Sequence, residues 1–418
     1  MAEEAEKSTV SIVTEEVKAA GLQMKPSIDN FYRLITNHYG NKLRLNEMTG
    51  KPEKYDMARK RWREFTDADE ADMRAYFEST YSMYSQNKMN DALQVYFVNN
   101  RVNPLIRILE DLRWDGKPRV EHFLHDIMKA EDSEYTRECS RLIFAGGIHR
   151  AYEPGCKFDD MIVLIGGQGT GKTTVTRWLN IDEQFYQEIK TISGKEGIEA
   201  IRGVWIGEVS ELMAMTRVKE AEAVKAYITS QKDNYRPPYA KHTQTIPRRC
   251  IFIGTTNNPQ FLTDKTGNRR FYPVKVQSDG YKLLDAEKQV RAYISQAWAE
   301  AVHLYREGNL PPFAKKEVLE QIRAAQEAAM EDDYRIGMIE QYLEDNEKAP
   351  NSVVSVIELW HRALNEPEES KPTRSDSIAI TQIITNVPGW VACPNPLQTH
   401  WGRQKCFKKT NPFFPSWR

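Results

Sequence analysis

Residues 166–174 read Gly166-Gly167-Gln168-Gly169-Thr170-Gly171-Lys172-Thr173-Thr174, which sets one ammonium and a hydroxyl pair at the end of a glycine-rich run. The spacing is G-x-x-x-x-G-K-[ST], which suits phosphate chemistry. Glycines let the chain wrap closely enough for main-chain N–H groups to cradle phosphate oxygens at the start of the next helix. Lys172 would reach the β- and γ-phosphates, and the Thr173 hydroxyl would ligate Mg²⁺. The expected ligand is therefore ATP with Mg²⁺. The alternative is a glycine-rich turn that binds nothing.

Three further groups could complete a hydrolytic site. Glu208 and Glu211 close the run GVWIGEVSEL, where a carboxylate can polarise an attacking water or hold the shell of Mg²⁺. Strand alternation puts the two on different faces, so the choice between them stays open. Asn257 follows the run IFIGTT, where an amide can sense the γ-phosphate and orient water. Arg269 and Arg270 follow a Gly-Asn turn. A guanidinium presented there suits charge neutralisation in a neighbouring subunit; a surface pair or a lid acting within one subunit would look the same.

These residues need rigid elements to hold them. Residues 161–165 (MIVLI) form a continuous apolar run, as in a strand buried on both faces of a parallel sheet, and the runs at 203–209 and 249–256 repeat the pattern. Strand and helix patterns alternate, which predicts an α/β core over 151–280. Residues 1–25 read as a flexible arm, 26–150 as a mostly α-helical domain with one strand at LRLNEMTGKP, and 281–348 as a helical extension of the core. Residues 349–418 suggest a small winged-helix-like module. From Lys371 onward it interleaves seven bases with Trp390, Trp401, Phe407, Phe413, Phe414 and Trp417. That mixture predicts contact with DNA, or else a small aromatic core kept soluble by lysines.

The chain is 418 residues long, and 58 basic against 59 acidic residues leave a net charge of -1, so any nucleic-acid surface must be local. Five cysteines without a CxxC pair support neither a disulfide framework nor a zinc ribbon. His122, His125 and His149 lack acidic or cysteine partners, so packing roles are expected for them. The acidic N-terminus lacks a signal-peptide core, and no stretch is apolar for long enough to span a bilayer. A cytoplasmic protein without membrane contact is expected.

Taken together, the stretches RILEDLRWDGKPR (107–119), PGCKFDDMIVLIGGQGTGKTT (154–174), GVWIGEVSEL (203–212), VKAYITSQKDNYRPPY (224–239), PRRCIFIGTTNNPQFLTDKTGNRRFYPV (247–274), IELWHRALNE (357–366) and WGRQKCF (401–407) resemble the virulence-associated protein E family of prophages and phage satellites. Its members look like superfamily 3 helicase ATPases. The resemblance implies a P-loop core of AAA+ or superfamily 3 type, with Glu208 and Glu211 in the acidic-strand region, Glu208 beside the metal, Asn257 at the sensor position and Arg269 or Arg270 as the finger. It also implies an intervening motif at Lys225, Asp233, Tyr235 and Arg236. A ring, commonly a hexamer, would thread a strand of DNA past the loop at 235–249, where Arg236, Lys241, His242 and Arg248 are the candidate contacts; a plain surface connection is the alternative. This sequence departs from the family pattern in separating its two glutamates by two residues. Two other readings remain: an initiator that uses ATP only to assemble, and a P-loop kinase.

Overall fold

The computed structural model describes residues 25–192, 194–210, 218–235, 243–262, 268–330, 334–345 and 353–409. The chain divides into two compact units, Met1–Met330 and Glu331–Arg418.

Among the described residues the first unit begins with the helix Ile28–Tyr39, capped by the Ser27 hydroxyl. Strands β1 (Leu43–Asn46), β2 (Lys51–Asp56) and β3 (Arg61–Glu64) then run as an antiparallel meander. The helix Asp67–Tyr81 starts in a capping box, because Thr66 and Asp69 each accept the other's main-chain N–H. Asp69 also accepts from Arg63 (2.7 Å) and Lys54 (2.8 Å), which ties the helix start to β2 and β3. After the helix Gln86–Asn99, β4 (Arg101–Val102) returns parallel to β1. This part of the chain thus carries a four-stranded sheet, β3-β2-β1-β4, as well as its helices. It closes a core of its own around Phe31, Leu34, Phe77, Met89 and Tyr96.

The rest of the unit is built on β5 (Met161–Ile165), β6 (Tyr186–Glu188) and β7 (Ile206–Val209), then a hairpin of β8 (Lys232–Tyr235) and β9 (Gln244–Pro247), then β10 (Ile251–Thr256) and β11 (Phe271–Lys275). Five of these strands make one sheet, in the order β11-β5-β10-β7-β6. Every neighbour pair is parallel. Both faces are covered, and β5 shows how. Ile162 and Leu164 pack into one core with Phe144, Trp178 and Trp298. Met161, Val163 and Ile165 pack into the other with Val224, Tyr227 and Phe252. A strand buried on two sides needs apolar residues at every position, which is why MIVLI lacks alternation.

The long helix Glu134–Tyr152 lies beside the helix Glu287–Arg306 on the first face. Trp298 on the second helix meets Trp205 with ring centroids 4.2 Å apart and planes tilted by 40°, and the indole N–H groups of Trp205 and Trp298 find carbonyls on Gly147 and Leu179 respectively, at 2.9 Å. Gly147 lets this helix approach, because a Cβ there would sit 2.5 Å from the Trp298 ring.

The second unit pairs β12 (Val353–Ser355), β13 (Trp390–Ala392) and β16 (Cys406–Lys409) into an antiparallel sheet. A hairpin of β14 (Leu397–Thr399) and β15 (Gly402–Gln404) lies in the same unit. The helices Tyr334–Asp345 and Arg374–Asn386 share its core through Ile339, Leu343, Ile380 and Ile384. Trp390 and Phe407 are buried in that core, while Arg374, Arg403, Lys405 and Lys408 are exposed. These two aromatics therefore build the core, and these four bases lie outside it. Phe413, Phe414 and Trp417 lie outside the described residues. Among the described residues no helix is long and apolar enough to cross a membrane.

Gly147→Ala gains about 1 kcal/mol of helix propensity. It must also displace a buried indole, so a net loss of about 1–2 kcal/mol and a lower Tm in a thermal melt are expected. Asp160, just before β5, has its carboxyl pushed up to about 6 by burial, with the Tyr272 hydroxyl pulling the other way. The folded chain thus holds this proton more tightly than the unfolded one. The stability Asp160 contributes is full below about pH 4 and is lost as pH rises to about 6. Asp160→Asn should flatten that part of the denaturation-versus-pH curve and be more stable than the wild type at pH 7.

Candidate active site

The strands of the parallel sheet all end at the same edge, and the glycine-rich loop leaves β5 there. Gly169 and Gly171 have φ of +86° and +77°, a left-handed backbone that side chains resist. Gly171 turns the chain directly into the helix Lys172–Leu179. The loop is propped from behind by the chain that follows β11. Ser278 Oγ donates to Thr170 O at 2.6 Å, and Gly280 N donates to Gly169 O at 2.8 Å.

Lys172 is bent over this loop. Its Nζ donates to the carbonyls of Gly166 (2.7 Å) and Gly167 (3.0 Å), to Thr170 Oγ1 (3.3 Å) and to Asn257 Oδ1 (2.9 Å). Partial burial lowers the ammonium's pKa, with Glu208 acting in the opposite direction. Asn257 is exposed just past the end of β10. Its link to Lys172 joins the chain that leaves β10 to the chain that leaves β5.

Glu208 is fully buried on β7. A carboxyl group buried in such a place needs hydrogen-bond partners, and it has three hydroxyls. Thr173 and Thr255 both donate to Oε1 at 2.8 Å, and Tyr186 donates to Oε2 at 2.6 Å. Burial, and then the carboxylate itself, push the Tyr186 hydroxyl well above its ordinary range. Register explains the convergence: Glu208 lies opposite Ile253 on β10, two residues before Thr255, and opposite Glu188 on β6, two residues after Tyr186. The roles of Tyr186 and Thr255 escape sequence reasoning. Tyr186 begins a strand of only three residues with no apolar run to mark it.

A cleft of about 930 Å³ runs along this edge, and residues 168–174, Glu188, Asn257 and Tyr281 line it. It unites most of the expected phosphate contacts, Gln168, Gly169, Thr170, Gly171, Lys172, Thr173 and Thr174, with the amide of Asn257. Gly166 and Gly167 belong to the same loop and give their carbonyls to Lys172.

Other expected residues lie elsewhere. Phe271 of β11 is opposite Met161 and Lys275 is opposite Ile165. Arg269 and Arg270 therefore precede the strand at the end of the sheet away from the loop. At about 3.3 Å per residue the intervening strand spans roughly 16 Å, beyond the reach of an arginine side chain. Arg269 is exposed and Arg270 half-buried. Glu211, Arg236, Lys241 and His242 lie outside the described residues.

Strands β8 and β9 stand on either side of residues 236–242. Asp233 accepts from Arg248 Nε at 2.7 Å and from Nη2 at 2.8 Å, and Arg248 also donates to Tyr227 O. The Arg248 side chain is 3% exposed. It is thus engaged in a buried ion pair that braces the base of the β8–β9 hairpin, and its guanidinium does not face a groove. Lys225 is likewise buried. Tyr235 is buried too, donating to Glu199 Oε1 at 2.5 Å. His125 and His149 each bond a main-chain carbonyl, on Ala130 and Leu310, at 2.9 Å.

A family model described as a virulence-associated protein E-like domain matches residues 109–331, just over half of the 418 residues. No curated protein matches the chain. Among solved structures, an apo structure of the NrS-1 C-terminal region (305–718) superposes with a TM-score of 0.49 at 12% identity, covering 91% of this chain and 98% of that one. An A-form apo structure of the same region gives 0.47 at 11% identity, covering 91% and 99%. A further A-form structure gives 0.49 at 11% identity, covering 92% and 99%.

The Arg248–Asp233 pair can be tested directly. Asp233→Ala strands a buried guanidinium, and a loss of about 3–5 kcal/mol in urea denaturation is expected. Replacing both partners, as Asp233→Leu with Arg248→Met, should cost clearly less. Equal losses would show that the pair does not act as a buried unit.

Proposed function

We propose that this chain, which belongs to the virulence-associated protein E family, is a Mg²⁺-dependent ATP hydrolase of superfamily 3 helicase type. It would translocate on a DNA strand as a ring of identical subunits, a hexamer, in the replication of a phage or phage satellite. The observation that carries this reading is the convergence on one sheet edge of Lys172, Thr173, Glu208 and Asn257, from three different parallel strands and their loops.

Each group has a task that its geometry suits. Loop N–H groups and the Lys172 ammonium would meet phosphate charge. Thr173 Oγ1 and Glu208 Oε1, 2.8 Å apart, are oxygen donors of the hard kind that Mg²⁺ takes, and they would hold it. When bound, the ion would supply positive charge to the phosphate oxygens. Glu208 can accept a proton from water once one of its hydroxyl partners yields, and Asn257 can orient that water. Arg269 and Arg270 stand too far from their own loop to serve it. If they neutralise transition-state charge, they do so in the next subunit of a ring, and this favours a shared site over a lid within one subunit. The exposed bases of the second unit, which we read as winged-helix-like, would add contact with duplex DNA.

ATP turnover on forked DNA, with the mass of the assembly measured in Mg·ATP, tests the proposal. Lys172→Ala should abolish turnover. Arg269→Ala with Arg270→Ala should lower it by about 10³-fold or more while nucleotide affinity holds. Mixing the two inactive proteins should restore partial activity, because each supplies the half the other lacks. A monomer indifferent to DNA, or an inert mixture, would overturn the ring-shared site.

A further inference from the structure

Tyr281 and Leu284 are large apolar side chains left 81% and 53% exposed, and both line the cleft that holds residues 169–174. They sit three apart on the helix Gly280–Asp285, so they share one face. Their placement is firmly built. The Asp279 side chain caps the helix by accepting from Tyr281 N (3.0 Å) and Lys282 N (3.3 Å). Gly280 packs main chain to main chain against the phosphate loop, where a Cβ would come within 2.4 Å of Gly169 O. Leu283, on the opposite face, is buried where a Cβ on Gly171 would meet it. The exposed face is thus fixed one residue away from a loop contact.

From this we infer that Tyr281 and Leu284 form the platform for the nucleobase, with the planar base lying against the tyrosine ring and the leucine side chain. The inference rests on the ATP-binding reading given above and adds the direction in which the nucleotide lies. The strands β10 and β11 flank β5 on opposite sides. Asn257, Glu208 and Thr255 come from the β10 and β7 side, so the γ-phosphate end points there. The helix Gly280–Asp285 follows β11 and stands on the other side of the loop, where the base end must fall. The cleft's other apolar residues, Ile189, Ile192, Val209 and Val224, lie on or beside β6 and β7 or on the helix Val218–Thr229. They belong to the γ-phosphate side and do not compete for the base. Stacking on an aromatic face needs only the π surface that every base has, so the platform accommodates the adenine of ATP without selecting it over other bases.

Affinities of the full chain for a non-hydrolysable ATP analogue and for inorganic tripolyphosphate, both with Mg²⁺, separate base from phosphate binding. Tyr281→Ala should weaken the ATP analogue about tenfold, the usual worth of one aromatic–base contact. Tripolyphosphate affinity should stay within about twofold on that scale, and Tyr281→Phe should bind both ligands as the wild type does. Unchanged binding of the ATP analogue, an equal loss for both ligands, or a change confined to the size of the assembly overturns the platform. A wild type that binds neither ligand overturns the ATP reading itself, a different and recognisable result.

Discussion

Two adjacent strands of a parallel sheet can be joined only by a crossover that passes over a face of the sheet. All five strands of the central sheet are parallel, so helices must cover both faces, and every strand ends at the same edge. Two properties of the protein descend from that constraint. Strands β5, β7, β10 and β11 are buried at nearly every position, and the chain leaving them is delivered to one place. The loop, the carboxylate, the amide and the prop beneath the loop are neighbours for this reason, although more than a hundred residues separate Gly166 from Gly280.

Within that edge the most demanding group is Glu208. It has lost its contact with water, and three hydroxyls replace the hydration. Each donor comes from a different segment: Thr173 from the loop's helix, Thr255 from β10 and Tyr186 from β6. A shift of one residue in any register would turn a donor to the opposite face. The carboxylate therefore has a partner set that depends on the alignment of the whole sheet.

Much of this was legible beforehand, for identifiable reasons. The run Met161–Ile165 announces a doubly buried strand, and the loop that follows has fixed glycine and lysine positions. Residues whose partners are remote were not legible. Arg248 is one of two adjacent arginines in the sequence; its ion pair with Asp233, fifteen residues away, appears only when the hairpin closes. The helix Glu134–Tyr152 is buried nearly all round, so no polar stripe marks its period. Strands β2 and β3, KPEKYD and RWRE, are polar and half-exposed, which hid the N-terminal sheet except for its first strand. Tyr186 sits on a strand too short to show a pattern.

Strand β11 also fixes a length. Its five residues pair along their whole length with β5, and the arginines adjoin one end while the chain that supports the glycine-rich loop leaves the other. It is thus a spacer of set length. Loops of this protein can lengthen or shorten at little cost in closure entropy, but an inserted or deleted residue in 271–275 would both alter that separation and turn the remaining side chains to the wrong core. The distance between the arginine pair and the chain that props the glycine-rich loop is written into a hydrogen-bonded ladder and leaves no slack for variation in length.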